Sequence, residues 1–172
     1  MWKGDLNAIW ELKIGEEGPA GGIVFYDKGE FSDGWRYLEA APSDQSASIQ
    51  WYNGTAIDIK TGTPPGISDV GTGKANTEAI IAAQGSGNYA ATLCKNVSIN
   101  GFSDWFLPSV DELNLMYKNL KKSGLGELGE GWLWSSSQDI DYGVAWLRSF
   151  SDGVPHPAFK NQKYSVRACR AF

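Results

Sequence analysis

Residues 132–172, WLWSSSQDIDYGVAWLRSFSDGVPHPAFKNQKYSVRACRAF, constrain the fold more than any other part of the chain. Two kinds of sequence alternate there. Trp134, Ser135, Ser136, Ser137, Ala145, Trp146, Phe150, Gly153 and the closing VRACRAF read as a fixed frame. Between them stand two blocks with no shared chemistry: Asp139, Ile140, Asp141, Tyr142, Gly143 and Val144, then Val154, Pro155, His156, Pro157, Ala158 and Phe159. An active site places chosen polar groups. These blocks mix charge, aromatics, prolines and small side chains, as a surface built to vary would.

A strand can separate a constant core from a changing surface, because successive side chains point to opposite faces. From Trp146 to Phe150 that alternation puts Trp146, Arg148 and Phe150 on one side and Leu147 and Ser149 on the other. Trp146 and Phe150 are assigned to the core, so Leu147 and Ser149 are expected to face a ligand. Arg148 is expected to reach a carboxylate or the rim. Asp139 to Val144, Leu147, Ser149, Asp152 and Val154 to Phe159 then form one contiguous exposed surface. Its principal contacts are expected to be Tyr142, His156 and Phe159, since aromatic side chains give much contact area for little ordering cost.

At 172 residues the chain suffices for one good core and is short for two. A hydrophobic share of 42% with 20% charged residues reads as a soluble globular protein. The net charge of −5 argues against the basic stripe of a nucleic-acid groove. No apolar run reaches membrane-spanning length, and MWKGDLNAIWELKIG lacks the apolar centre of a signal peptide. Eight Trp and 21 Gly predict short strands and many turns around large flat side chains.

Residues 1–13 read as an arm, with Leu6, Ile9, Trp10 and Leu12 lining a short helix or covering a strand edge. Ile23 to Tyr26 and Trp35 to Ala40 predict a hairpin, with Asp27 to Gly34 as its turn. From Pro42 to Gly73 the signals are loop, broken by Pro64, Pro65 and Gly66; Ile49 to Tyr52 and Ala56 to Ile59 can extend. Trp51, Tyr52, Ile57 and Ile59 are expected to form that loop's own cluster. The run GTGKANT lacks Walker spacing, and Asn76 or Thr77 is expected to cap a helix that breaks at Gly85 to Gly87 and resumes through Tyr89, Leu93, Cys94 and Val97. Trp105 to Leu107 predicts a short strand. Ser109 and Glu112 then make a capping box for a helix carrying Leu113, Met116, Tyr117 and Leu120 at helical spacing.

Catalytic chemistry is thin. His156 is the single histidine, so neither a catalytic triad nor a multi-histidine metal site can be assembled away from it. Ser135 to Ser137 lack the nucleophile-elbow glycines and are read as satisfying buried backbone. Asp139 and Asp141 are read as solvated charges rather than an acid–base pair.

GPAGGIVFYDKG, GWRYLEAAPSD, GTGKANT, GFSDWFLPSVDELNLMY, LWSSS, the pair AW and the terminal VRACRAF together resemble a prokaryotic family related to the C-terminal domain of the Legionella collagen-like adhesin. The resemblance runs from about Ile14 to Phe172. It implies an α+β, C-type-lectin-like fold over residues 14–172, with two main helices on short antiparallel sheets and long loops. Some members are variable proteins of diversity-generating retroelements, in which asparagine codons AAY become NNY, excluding Lys, Glu, Gln, Trp and Met. Every residue from Asp139 to Val144 and from Val154 to Phe159 belongs to the permitted set; Gln162 and Lys163 do not, and fall to the fixed frame.

The resemblance implies a binding module without cofactor or catalysis, displayed on a cell or virion surface and recognising a protein or surface glycan. It neither inserts in a membrane nor binds nucleic acid. An oligomer is compatible with it, the Legionella relative being trimeric. Formylglycine-generating enzymes share the fold and use cysteines, and a fixed-specificity glycan adhesin is the other alternative. The calcium-site strings of animal lectins, Glu-Pro-Asn or Gln-Pro-Asp with Trp-Asn-Asp, do not occur. In lectin-like folds the last strand runs beside the first helix, which implies that Cys94 and Cys169 are buried near each other, bonded or as packed thiols, in a structural role.

Overall fold

The computed structural model describes residues 11–61 and 69–172. The expectations for Leu6, Ile9 and Trp10, and for Pro64 to Gly66, lie outside those residues. The described chain is α+β, with eight strands in two sheets and three short helices.

β1 (Ile23–Ser32) and β2 (Trp35–Ala40) form the expected hairpin, but β1 runs on to pair Ser32 with Trp35. Only Asp33 and Gly34 turn, with φ of 54° and 84°. Positive φ at both positions matches the right-handed strand twist, so the two-residue turn replaces the longer one expected. The Gly15 N–H donates to Val24 O at 2.8 Å and the Val24 N–H to Glu16 O at 2.9 Å, which ties residues 15–16 to the start of β1. β8 (Cys169–Ala171) pairs with β2, giving the order β1-β2-β8.

The larger sheet takes β3 (Ser46–Gln50), β4 (Trp132–Gln138), β5 (Val144–Ser149), β6 (Pro155–Phe159) and β7 (Lys163–Val166) in the order β3-β7-β4-β5-β6. Its β4–β7 pairing is parallel, a departure from the all-antiparallel expectation. Ala56 to Ile59 form no strand. Trp105 to Leu107 make only a bridge, through two N–H···O bonds between Phe106 and Cys169 of 2.9 and 3.0 Å. Pro108 follows immediately and leaves no room for a ladder.

The helices are α1 (Gly73–Gln84), α2 (Ala90–Lys95) and α3 (Val110–Asn119), with a 3₁₀ turn at Lys121–Ser123. α3 has its predicted capping box: the Glu112 N–H donates to Ser109 Oγ at 3.1 Å, and the Ser109 N–H to Glu112 Oε2 at 2.7 Å. α1 starts earlier than predicted because its cap is not local. The Gly71 and Gly73 N–H groups donate to Glu112 Oε1 at 2.8 and 3.3 Å, so a carboxylate on α3 serves the α1 N-terminus. A Cβ on Gly73 would lie 2.2 Å from Glu112 Oε2. Asn76 and Thr77 are buried within the helix; Thr77 Oγ1 donates to Gly73 O at 2.7 Å and accepts from the Leu107 N–H at 3.0 Å.

Two apolar clusters form the core. One gathers Trp51, Tyr89, Trp105, Trp134, Ala145 and Leu147; the other gathers Phe25, Leu38, Phe106, Leu113, Met116 and Phe150. Trp51 and Ile59 belong to the first, so the long loop packs into the common core rather than around a cluster of its own.

Candidate functional site

The two unpatterned blocks lie on the turn between β4 and β5 and on β6, the last strand of the larger sheet. Register decides which side each residue takes. Val144, Trp146 and Arg148 pair with Phe159, Pro157 and Pro155, while Ala145 and Leu147 pair with Ala158 and His156. Directly paired residues share a face. The first set therefore looks away from the Trp134 core, and the second set looks into it.

This reverses the expectation for the strand. Leu147, at 2% exposure, belongs to the Trp134 cluster, and Ser149 is fully buried. Neither can face a ligand. Trp146 takes the outer face, half-buried, and its buried Nε1–H has no hydrogen-bond partner among the described residues. The inward face, held against Trp51 and Trp134, takes the slimmer Ala145, Leu147 and Ala158. Ala158 is thus core too, not binding surface. Phe150 is core as expected, but from the turn after β5.

Arg148 shares the outer face but is covered there by α3. Its Nε–H donates to Val110 O at 3.2 Å, and Nη1 donates to Asn114 Oδ1 at 3.1 Å and Gly153 O at 2.6 Å. It thus meets buried carbonyls, where a carboxylate or the rim was expected. Burial pushes its pKa down, opposed by Asp111 and Asp69. Gly153 has φ of 78°, and a Cβ there would lie 2.2 Å from the Tyr117 ring, which accounts for a glycine in the frame.

The expected single surface divides in two. Val154 and His156 lie on the inward-looking side at its open end, where the His156 ring meets the Trp132 ring edge-on at 4.5 Å. The open outer patch consists of Val144, Trp146, Pro157 and Phe159, continued by the turn that carries Asp139, Ile140, Asp141 and Tyr142. Ile140 is 99% exposed, Phe159 63% and Tyr142 55%. Beside Trp146 and Ile140 a cleft of about 280 Å³ is also lined by Asp58, Lys60 and Gln138. Asp152 sits apart in the turn before β6. There the Val154 N–H donates to its carboxylate at 3.0 Å and holds its pKa below the usual carboxylate range.

Between the β4–β5 turn and the end of β6 lies a buried polar link that sequence reasoning missed. Lys160, 1% exposed, donates from Nζ to Gln138 Oε1 at 2.5 Å and Ile57 O at 3.3 Å, and lies 4.2 Å from the centre of the Trp51 ring. Burial brings its pKa down to about 8, against the pull of Asp58 and Asp141. Gln138 completes the link: its Oε1 accepts the Ile59 N–H at 3.1 Å and its Nε2 donates to Asp58 Oδ1 at 3.0 Å. Gln138 and Lys160 directly flank the two unpatterned blocks, which was the available signal.

The serine run satisfies buried groups, as read. Ser135 Oγ donates to Trp146 O at 2.7 Å, and Ser137 Oγ accepts the Val110 N–H at 3.1 Å and lies 3.0 Å from Asp69 Oδ2. Trp134 is fully buried, its Nε1–H bonded to Ile49 O at 2.9 Å. Glu112 and Asp69 are buried carboxylates with pKa values pushed up by burial, Glu112 to about 7. Their oxygens are committed to backbone N–H groups and to Ser137. Cys94 and Cys169 are buried, unbonded thiols, Cys94 in the Trp134 cluster and Cys169 in the Phe25 cluster, and burial raises both pKa values. Among the described residues no group of three or more His, Cys, Asp or Glu side chains is placed to hold a metal ion.

No protein-family model matches the chain, and no curated protein matches its sequence.

Proposed function

We propose that the protein is a non-catalytic ligand-binding domain of C-type-lectin-like fold, the variable target of a diversity-generating retroelement. It binds a protein or surface glycan through the outer patch of Asp139 to Val144, Pro157 and Phe159. One observation carries this reading: large side chains of the permitted set stand in water beside a buried link made of excluded residue types. Ile140, Tyr142 and Phe159 are the exposed members, and Lys160, Gln138 and Trp51 are the buried ones. Exposed apolar groups gathered in a patch mark interaction sites more often than chance. Buried thiols with raised pKa values suit packing better than the redox chemistry of a formylglycine-generating enzyme.

A library test addresses the function. NNY codons are placed at residues 139–144 and 159, and the displayed library is panned against a panel of unrelated folded proteins and glycans. The expected result is a set of folded, specific binders whose substitutions lie on the outer patch. A library that folds yet yields no binder, or binders that owe nothing to this patch, overturns the reading.

A further inference from the structure

Among the described residues β6 ends its sheet, so one of its backbone edges has no neighbouring strand there. Two hydrogen bonds fix which way its peptide groups point. The Lys160 N–H donates to Gly143 O and the Ser149 N–H to Val154 O, each at 3.0 Å. Carried along the β5–β6 register, these bonds turn the peptide groups of His156 and Ala158 toward β5 and those of Pro155, Pro157 and Phe159 off the sheet. Both prolines thus occupy positions whose N–H would point outward. Proline has no N–H, and its ring stands where an incoming carbonyl needs a donor. Along this edge a new strand would find a donor only at Phe159.

The location gives this arrangement a consequence. An open strand edge beside exposed apolar side chains is the combination that recruits other chains. Here Phe159 belongs to the edge strand, and Ile140 is in the adjoining turn. We propose that Pro155 and Pro157 close β6 to strand addition, so that the outer patch engages a folded partner through side chains and not an extended peptide through its backbone. The closed edge is a property of the strand itself; its meaning for a ligand rests on the binding function proposed above.

The test is the double variant P155T/P157T. Thr is a good strand former, and no internal hydrogen bond is lost, so the variant is expected to fold. Sedimentation velocity over rising concentration should show it associating beyond the state of the wild type. Hydrogen exchange should find the new amides at 155 and 157 fast in dilute solution and protected about tenfold or more on association. Unchanged sedimentation at every concentration, or a 157 amide already protected in the dilute species, overturns the closed edge. If the double variant does not fold, P157T alone is expected to show the same behaviour at smaller amplitude. Unfolding of both variants would show that the prolines hold the strand rather than guard it, which also overturns the proposal. Failure to find any ligand would sink the binding function while leaving the sedimentation result intact.

Discussion

Lys160 and Glu112 predict an unusual dependence of stability on pH, with a minimum near neutrality. Burial lowers the Lys160 pKa from the ordinary 10.5 to about 8, so the folded state gives up this proton before the unfolded chain does. Stability on its account therefore rises as the pH passes from about 8 to about 10.5. One pKa unit is worth about 1.36 kcal/mol, so that rise amounts to about 3 kcal/mol. Glu112 acts in the other window. Burial raises its pKa from 4.5 to about 7, so the folded state keeps a proton that the unfolded chain has lost. Its contribution is full below about 4.5 and gone once the pH passes about 7, a change of similar size. Glu39 and Asp69, also raised by burial, act in the same direction as Glu112. Above about 9 the raised pKa values of Cys94 and Cys169 act against Lys160, because the folded state then keeps thiol protons that the unfolded chain loses, so the alkaline rise is read between about 8 and 9. Urea denaturation at half-unit steps from about pH 5 to about pH 9 measures the curve. The minimum is expected between about 7 and 8, with K160M flattening the alkaline limb and E112Q the acid limb. A maximum near neutrality in the wild type, or an alkaline limb that survives in K160M, would refute the buried ammonium.

L147A should cost about 2 to 5 kcal/mol in chemical denaturation, as for other large-to-small core changes, whereas I140S should stay within about 0.5 kcal/mol. Equal losses in the two variants would contradict the strand facing. Neither Cys94 nor Cys169 should react with a thiol reagent in the native protein on the minutes scale, and both should react after unfolding; rapid native labelling of either would revive a redox role. Binders selected from the patch library should keep their affinity in a calcium chelator, and its loss there would point to a lectin-type cation site.

Local chemistry made much of the fold legible. Ser109 with Glu112 marked the start of α3, and β-branched and aromatic residues bounded by Gly and Asp marked the first hairpin. Non-local chemistry was hidden. The α1 cap comes from a carboxylate 39 residues away from Gly73, so Asn76 and Thr77 were the natural but wrong local choice. The facing of β5 failed because size was taken to decide burial. In the structure both sides of the strand are partly covered, the core taking Leu147 while Arg148 lies under α3 and Trp146 stays half-exposed. The two unpatterned blocks could be read from sequence, but strand alternation split them, and no composition argument shows that His156 and Phe159 look to opposite sides.

Whether retroelement mutagenesis composed the outer patch can be read in the DNA around the gene. Sequencing that neighbourhood is expected to find a reverse-transcriptase gene and a near-identical repeat of the 3′ end. The two copies should differ at template adenines, concentrated in the codons for residues 139–144 and 154–159. No repeat, or differences spread evenly through the codons for Trp134, Lys160 and the closing VRACRAF, would rule out retroelement diversification of this patch.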